Sequence, residues 1–298
     1  MNKILITGAS GLIGTRLTEM LVKLGHEVSH LGRTKKEDKV PSFLWNVDRG
    51  IIDDQALKGV DTVIHLAGAG VADHRWTKKR KQEILESRTR STALLARYLA
   101  QNQNVKTVVS ASAIGYYGFG LTDKEFVEES NPGNDFLAQV VKTWEGEVDN
   151  IQNKRVVKLR IGIVLSEKGG ALKEMMLPIR WGLGTPLGTG KQYISWIHLD
   201  DLCRMFVKAV ENSSMNGVYN ATGPYAVTNF ELTRAIAKAL HKPLWLPSTP
   251  AFVLSILVGE IADIVVNGSV VSSKKIQQTG FEFLHQTLDK ALKDLLDG

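Results

Sequence analysis

KILITGASGLIG, residues 3–14, joins a short apolar run to a glycine-rich turn. Apolar side chains then recur at helical spacing as far as Leu24, so the segment predicts a strand, a tight turn and a helix. Gly8 would make the turn, Gly11 would remove a side chain facing a phosphate, and Gly14 would let the helix pack closely on the strand. Unpaired N–H groups at a helix start favour anions. The segment therefore predicts a site for a dinucleotide pyrophosphate, with a purely structural turn as the alternative.

The composition is that of an ordinary globular protein of 298 residues, 43% of them hydrophobic and 23% charged. Because Met1 and Asn2 lead directly into a strand, we expect no targeting signal, and the apolar run 251–266 is too short to span a bilayer. The single cysteine, Cys203, is typical of a reducing compartment. We therefore expect a cytoplasmic protein with no membrane partner.

The net charge of +6 is spread along the chain, except for the basic run 78–81 that follows Thr77. This run predicts a solvated face at the start of a helix, with phosphate or partner binding as the alternative. No nucleic-acid-binding motif accompanies it, so we expect no nucleic-acid partner.

A second short strand is predicted over 27–31, and Gly32 and Arg33 follow it. In sites selective for NAD, an acidic residue at the end of this strand binds the ribose hydroxyls. Here Arg33 stands at that place, with Lys35 or Lys36 behind it. Because a guanidinium binds phosphate as a fork, these residues predict contact with the 2′-phosphate of NADP. An exposed basic loop is the alternative.

Strands and helices alternate through the first half of the chain, with further strands predicted over 43–46, 62–66, 107–109 and 155–161. This order predicts an α/β fold, a Rossmann-type doubly wound parallel sheet with right-handed crossovers. We expect an NADP-binding domain over 1–165, completed by a strand returning near 193–221. Residues 166–298 would form a smaller α/β cap on the substrate side.

Two segments at predicted strand ends suit a ligand crevice. Residues 67–70 are small enough for a cofactor to lie across them, and residues 110–118 form a polar loop where the nicotinamide would sit. In that loop Ser112 would bind a substrate carbonyl, and a serine-rich turn is the alternative reading.

Other polar residues have plainer explanations. His65 is predicted to be a packed strand residue, and Asp200 and Asp201 are predicted to be helix caps rather than an acid/base pair. The seven histidines are scattered without cysteine or acidic companions, so no metal site is expected.

Several motifs together carry a family resemblance. The glycine pattern of residues 8–14, the strand end Leu66-Ala67-Gly68 and the later Trp196-Ile197-His198-x-x-Asp201 resemble extended short-chain dehydrogenase/reductases, the NAD(P)-dependent epimerase/dehydratase family. A narrower set looks like the subgroup of uncharacterised "epimerase family" proteins with a short carboxyl-terminal domain of unknown function, here about 248–296. That set comprises Arg75-Trp76, Ser87-Arg88, Gly115-Tyr116-Tyr117, Trp144-Glu145, Gly162-Ile163-Val164-Leu165, Gly169-Gly170-Ala171 and Gly280-Phe281-x-Phe283.

The resemblance implies an NADP-binding Rossmann fold and gives the mid-helix charges Glu83 and Arg88 a role in cofactor binding. The complete expected cofactor site consists of Gly8, Ser10, Gly11, Leu12, Ile13, Gly14, Gly32, Arg33, Leu66, Ala67, Gly68, Glu83, Arg88, Ser110 and Ile163.

The chain departs from this family at its catalytic pair. Short-chain dehydrogenases use a tyrosine followed four residues later by a lysine, and none of the six tyrosines here has such a lysine. Alignment on Trp144-Glu145 places Ala138 at the tyrosine position and Lys142 at the lysine position, so Lys142 is a candidate ribose contact. Proton transfer would then fall to Ser112, Tyr116 or Tyr117.

Two functions follow as hypotheses. The first is an NADP-dependent oxidoreductase or epimerase acting on an unidentified carbonyl or hydroxyl substrate, of which a nucleotide sugar is one candidate. The second is a catalytically silent NADP-binding protein that senses cofactor redox state or binds a partner. The sequence leaves the substrate and the oligomeric state open.

Overall fold

The computed structural model describes residues 1–35, 39–118 and 120–296, with the backbone alone for residues 121–123. Its strands are β1 Lys3–Thr7, β2 Glu27–Gly32, β3 Ser42–Asn46, β4 Ile51–Ile52, β5 Thr62–His65, β6 Thr107–Ala113, β7 Leu121–Phe126, β8 Arg155–Ile161, β9 Ile163–Leu165, β10 Tyr193–Ile194, β11 Trp196–His198, β12 Gly217–Ala221, β13 Val227–Thr228 and β14 Gly268–Val271. Its helices are α1 Leu12–Lys23, α2 Lys78–Gln101, α3 Phe136–Asp149, α4 Gly170–Arg180, α5 Leu199–Glu211, α6 Asn229–Ala239, α7 Ala251–Val258, α8 Ala262–Val266, α9 Lys274–Gln278 and α10 Leu288–Leu296.

Eight strands form the central sheet in the order β12-β8-β6-β5-β1-β2-β3-β4. All neighbouring pairs are parallel except β3 with β4. The chain runs outward from β1 through β2 and β3, then returns to β5 on the other side of β1. This reversal makes a topological switch point between β1 and β5, where ligands bind in open parallel sheets. The predicted doubly wound sheet is confirmed.

The sheet is apolar on both faces because helices cover both. Ile4, Leu5 and Ile6 in β1 are at most 1% exposed, and neighbouring strands continue this core. Helix α1 packs against α5, and α2 packs against α3. Each fully buried side chain of this kind contributes about 1.5–3 kcal/mol to stability.

A second, smaller core holds the cap together. It is formed by α4, α6 and α10 around Trp196, with Leu172, Leu232 and Leu292 at its centre. Only part of the predicted returning segment joins the main sheet: β12 pairs with β8, whereas β10 pairs with β13 and β11 pairs with β9. Strand β14 pairs with β7 and so ties the carboxyl-terminal region to the segment that follows residue 120.

Helix α7 is the most apolar helix of the cap and lies on the surface. Its sequence is AFVLSILV, and none of its residues is buried. Across the part of the chain that the structure describes, no helix has both the length and the apolar character that crossing a membrane requires.

Candidate functional site

The glycine turn between β1 and α1 has the geometry that the sequence predicts. Gly8 has a positive φ of 68°, and a Cβ there would lie 2.7 Å from the carbonyl oxygen of Leu66. A Cβ on Gly14 would lie 2.6 Å from the oxygen of Gly8, so α1 packs directly on the turn. Gly11 is the N-cap of α1 and provides no side-chain cap. The first N–H groups of α1, at Leu12 and Ile13, therefore remain available to an anion.

The end of β5 is fixed to the end of β1 by Thr7. The Thr7 hydroxyl accepts hydrogen bonds from the N–H groups of Leu66, at 3.1 Å, and Ala67, at 3.3 Å, and donates to Nδ1 of His65 at 2.8 Å. Nε2 of His65 faces the hydroxyl of Thr92 at 3.0 Å. Burial lowers the pKa of His65 to about 4. His65 is thus a neutral, packed strand residue, as predicted.

The residues expected to meet an adenosine ribose follow β2. Strand β2 ends at Gly32, and Arg33 and Lys35 are exposed directly after it. Lys36, the other candidate, lies outside the described residues. Ser10, in the glycine turn, is also exposed. Contact of Arg33 with a 2′-phosphate stays a prediction.

Arg88 of α2 is a half-buried cation beside the end of β5. A Cβ on Gly68 would lie 3.2 Å from its guanidinium carbon. Nη1 donates to the carbonyl of Ile84 at 2.8 Å, and the guanidinium lies 5.4 Å from the ring of Trp144. Burial, followed by the charge of Arg80, lowers its pKa to about 10. No carboxylate among the described residues forms an ion pair with Arg88, so this site favours an external anion.

The basic run at the start of α2 is not uniformly solvated. Thr77 caps the helix, and Lys78 and Lys79 are exposed as predicted, but Arg80 is only 9% exposed. Arg80 donates to Glu83 at 2.8 Å and to the carbonyl of Gly70. It therefore holds the loop after β5, residues 66–77, against α2. Glu83 itself is exposed and is oriented by this ion pair.

The polar loop after β6 begins later than predicted. Strand β6 continues through Ala113, so Ser110 and Ser112 lie inside the strand and are buried. Ser110 donates to the carbonyl of Ala111 at 2.9 Å, and Ser112 donates to Glu145 at 2.6 Å. The Ser112 hydroxyl is therefore bound within the protein rather than presented on a loop.

Glu145 and Arg160 form a buried ion pair that sequence reasoning missed. Nε and Nη2 of Arg160 donate to the two carboxylate oxygens at 2.8 and 2.9 Å. Burial raises the pKa of Glu145, but hydrogen bonds from Arg160 and Ser112 outweigh it and leave the pKa below its ordinary value. The Trp144-Glu145 motif was a signal for this pair, because it puts a charge on the buried face of an amphipathic helix.

The two tyrosines after β6 differ in environment. Tyr117 is 4% exposed, donates to Asn220 at 2.7 Å and accepts from Arg160 at 3.0 Å. Burial raises the pKa of Tyr117 to about 12 despite the charge of Arg160, so its phenol is poorly suited to carry a proton at neutral pH. Tyr116 is half-buried, with the guanidinium of Arg160 3.4 Å from its ring centroid.

The side chains of α3 that face this loop are apolar and do not include Lys142. A Cβ on Gly115 would lie 3.5 Å from Cβ of Leu137 and 3.9 Å from Cγ2 of Val141. Ala138 is buried and Lys142 is exposed. A contact of Lys142 with the ribose stays a prediction; the residues that face Gly115 lie one position earlier, and one residue rotates a helical position by about 100°. Leu137 and Val141 are buried and pack toward Gly115.

The start of the cap lies next to the glycine turn. Ile163 begins β9, is half-buried, and donates its N–H to Ser195 at 2.9 Å. A Cβ on Gly170, the first residue of α4, would lie 3.8 Å from a methyl group of Leu12. Ile163 and Leu12, both expected at the cofactor, therefore lie on segments that meet at this point.

Two histidines and two aspartates form a cluster that the sequence did not predict. His198 and His285 stack with centroids 3.7 Å apart, and Asp294 lies 3.3 Å from Nε2 of His198. Asp201 accepts the N–H groups of Leu284 and His285 at 2.8 and 2.9 Å. The prediction of histidines without acidic companions is wrong, because residues far apart in sequence meet here.

The cap of α5 is His198 rather than an aspartate. Nδ1 of His198 accepts the N–H of Asp200 at 3.1 Å, so Nε2 carries the proton when the ring is neutral. This tautomer suits a hydrogen bond to Asp294 rather than metal ligation through Nε2. Asp200 instead receives a bidentate hydrogen bond from Arg16 of α1, at 2.7 and 2.8 Å.

A parallel sheet with this switch point, a glycine turn without a side-chain cap and a half-buried cation nearby define a Rossmann-type protein with a dinucleotide-binding fold. Residues 4–222 match the NAD dependent epimerase/dehydratase family, and residues 249–295 match a domain of unknown function, DUF1731. The chain belongs to the NAD dependent epimerase/dehydratase family, which confirms the resemblance read from the sequence.

Relatives match over nearly the whole chain. Epimerase family protein YfhF of Bacillus subtilis is 38% identical, over 98% of this chain and 97% of its own. Mouse epimerase family protein SDR39U1 is 33% identical, over 99% of both chains. The crystal structure of human SDR39U1 with NADPH has a TM-score of 0.89 at 31% identity, covering 99% of both chains. A nucleoside-diphosphate sugar epimerase from Corynebacterium glutamicum has a TM-score of 0.82 at 28% identity, covering 99% of this chain and 58% of its own.

Proposed function

We propose that this chain binds NADPH and reduces or epimerises a small carbonyl or hydroxyl compound. The observation that carries the proposal is Arg88, a half-buried cation beside Gly68 with no ion pair among the described residues. Its place at the carboxyl edge of β5 is where a dinucleotide lies in this fold. The human relative crystallised with NADPH supports the same choice of cofactor.

The residues present fit such a cofactor. The amides at the start of α1 would hold the pyrophosphate. Gly11 leaves them accessible because it has no side chain, and a Cβ built there would have only the carbonyl oxygen of Gly8 within 4 Å, at 3.4 Å. Arg33 would bind the 2′-phosphate, since it is exposed directly after β2. When bound, NADPH supplies a hydride from its nicotinamide ring.

Tyr116 is the proton carrier that the geometry leaves most accessible. Ser112 and Tyr117 are bound to Glu145, Asn220 and Arg160, whereas Tyr116 is half-buried at the loop. The Arg160 guanidinium lies over its ring, 3.4 Å from the centroid. Tyr116 would therefore move the proton to or from a substrate oxygen.

A second candidate function is that of an NADPH-binding protein without catalysis, which senses cofactor redox state or binds a partner. The α3 side chains that pack toward Gly115 are the apolar Leu137 and Val141, and this observation favours it. Consumption of NADPH with any member of a broad panel of carbonyls and nucleotide sugars would exclude it. Tight NADPH binding with no consumption across that panel would support it.

Substitution of Arg88 tests cofactor binding directly. We expect Arg88→Met to weaken NADPH binding about tenfold or more, because a charge-assisted hydrogen bond to a phosphate or ribose oxygen is lost. Arg90→Met, two residues along α2 in an exposed position, is the matched control and should change affinity less than about twofold. Calorimetric titration with NADPH measures both. Equal affinity of the two variants would contradict the assignment of Arg88.

A further inference from the structure

Helix α5 is capped by a side chain that can gain a proton near neutral pH. The N-cap residue is His198, whose Nδ1 accepts the N–H of Asp200 at 3.1 Å. An imidazole nitrogen accepts only while it is unprotonated, and the imidazolium ion carries a hydrogen on both nitrogens. Protonation of His198 would therefore place a proton on Nδ1, against the N–H of Asp200, and would remove the cap. The usual N-cap residues, serine, threonine, asparagine and aspartate, do not lose their acceptor in this pH range.

The capped end of α5 supports the start of α1. The carboxylate of Asp200 accepts two hydrogen bonds from the guanidinium of Arg16, at 2.7 and 2.8 Å. One turn further along α5, Sγ of Cys203 lies 3.9 Å from the carbonyl oxygen of Ile13. Ile13 belongs to the first turn of α1, whose free N–H groups would hold the pyrophosphate of the cofactor. His198 is thus linked to the proposed pyrophosphate site through Asp200 and Arg16.

The imidazole of His198 is surrounded by titratable side chains. His285 stacks on it with ring centroids 3.7 Å apart, and Asp294 lies 3.3 Å from Nε2. Asp200 and Asp201 follow it in the first turn of α5. Burial and then the charge of His285 lower the pKa of His198, and the three carboxylates oppose this shift without cancelling it. The positive end of the helix dipole also disfavours a cation at this place. The folded protein therefore favours the neutral ring, which is the form that caps α5.

We propose, resting on the cofactor site described above, that neutral His198 is a positioning residue that holds the start of α1, through Asp200 and Arg16, in the geometry that binds the cofactor pyrophosphate. Protonation of the ring would release the N–H of Asp200 and loosen the first turn of α5. The carboxylate that holds Arg16 belongs to this turn, so the N–H groups of α1 would lose part of their alignment. Affinity for NADP(H) then falls as the pH falls below about 6.5, the ordinary pKa of histidine.

The test is calorimetric titration of the full chain with NADP⁺ at pH 8 and at pH 5, because NADPH decomposes in acid. The 2′-phosphate of NADP⁺ itself gains a proton at about pH 6, and this weakens binding in every variant. His198→Asn provides the comparison, since asparagine is a strong N-cap that does not titrate. We expect the affinity of the parent to fall about threefold to fivefold more than that of His198→Asn, which corresponds to the loss of most of one N-cap.

His198→Ala separates a positioning role from a general loss of structure. Alanine cannot cap α5, so this variant should bind NADP⁺ about threefold to fivefold more weakly than the parent at pH 8, and it should share the smaller pH dependence of His198→Asn. His198→Asn should restore the parent affinity at pH 8. The exposed His74→Asn variant is the control and should keep both the affinity and the pH dependence of the parent. Circular dichroism at both pH values checks that each variant is folded.

Arg16→Met tests the connection between α5 and α1. It leaves the cap of α5 intact but removes the bridge to Asp200, so its pH dependence should fall to that of His198→Asn. In the parent this bridge persists at pH 5, because hydrogen bonds from Arg16 hold the pKa of Asp200 below its ordinary value. A pH dependence in Arg16→Met equal to that of the parent would overturn the proposal.

The outcomes distinguish this inference from the proposed function. Equal pH dependence of the parent and His198→Asn would overturn the positioning role of His198 and leave the cofactor site intact. Binding by His198→Asn at pH 8 as weak as that of His198→Ala would also overturn it, because the cap would then not be what the histidine supplies. Absence of NADP⁺ binding by the parent at both pH values would overturn this inference and the proposed function together.

Discussion

The guanidinium of Arg160 determines which side chains near the end of β6 are free to react. It donates hydrogen bonds to both carboxylate oxygens of Glu145 and to the hydroxyl of Tyr117, and it lies over the ring of Tyr116. The sequence showed Ser112, Tyr116 and Tyr117 as equivalent polar candidates, because their partners come from distant strands. Hydrogen-bond partners of this kind can be identified only from the folded structure, because the spacing of residues along the sequence does not determine them.

Arg33 is a residue whose role can be tested by charge reversal. Arg33→Asp should weaken NADPH binding about tenfold to a hundredfold and NADH binding less than about threefold, because only NADPH has the 2′-phosphate that a guanidinium pairs with. The exposed Arg49→Asp variant controls for the change in net charge. Calorimetric titration of each variant with NADPH and with NADH gives the ratio of the two affinities. Equal weakening for NADPH and NADH would show that Arg33 does not bind the 2′-phosphate.

Among the elements, β1 and the start of α1 were predictable in detail, whereas the ends of β6 and the rotation of α3 were not. Glycines required at fixed places leave a direct mark in the sequence, as Gly8 and Gly14 do. Strand β6 extends four residues beyond the predicted end because small residues suit both a strand and a loop. The rotation of α3 is set by packing of Leu137 and Val141 against Gly115, and this contact between distant segments leaves no pattern in the sequence.

The close packing of α1 on the glycine turn can be tested by adding a methyl group at Gly14. Gly14→Ala should lower the free energy of unfolding by about 1–3 kcal/mol, since its Cβ would meet the backbone of Gly8 and Ala9 at 2.6 Å. Gly146→Ala, in α3, places a Cβ in open space and should raise stability by about 0.5–1 kcal/mol. Urea unfolding of both variants supplies the comparison. A neutral Gly14→Ala variant would show that α1 can move away from the turn.

At the scale of the whole molecule, buried neutral histidines make stability depend on pH. Burial lowers the pKa of His65 to about 4, and burial with the neighbouring His285 also lowers the pKa of His198. The folded state then binds fewer protons than the unfolded state. The contribution of these neutral histidines to the free energy of unfolding is complete above pH 6.5, and it is lost as the pH falls toward their pKa values in the folded protein.

We expect the free energy of unfolding to fall between pH 7 and pH 4.5, with about 2 kcal/mol of the loss arising from His65. His65→Asn should be less stable than the parent at pH 7 and should show a flatter pH dependence. The exposed His74→Asn variant should keep the parent slope. Urea unfolding at several pH values distinguishes them, and a parallel slope for His65→Asn would contradict the assignment.

The overall architecture was predictable, while the way the cap is fastened was not. The alternation of strands and helices along the sequence was sufficient to predict the parallel sheet. Contacts such as that between Asp201 and His285, 84 residues apart, depend on the completed fold and leave no local pattern. The division at residue 165 stays a prediction, because segments on both sides of it contribute to the main sheet.

The ion pair between Arg16 and Asp200 has a consequence for the folding of the chain as it is made on the ribosome. Its partners are 184 residues apart, and α1 packs on α5. The glycine turn emerges early, but the helix that supports α1 emerges only after the first part of the cap has been made. A nascent chain ending near residue 165 therefore exposes the apolar side of α1 to aggregation or to chaperones. We therefore expect the chain to become able to bind a nucleotide only late in translation, although the glycine turn is among the first segments to be made.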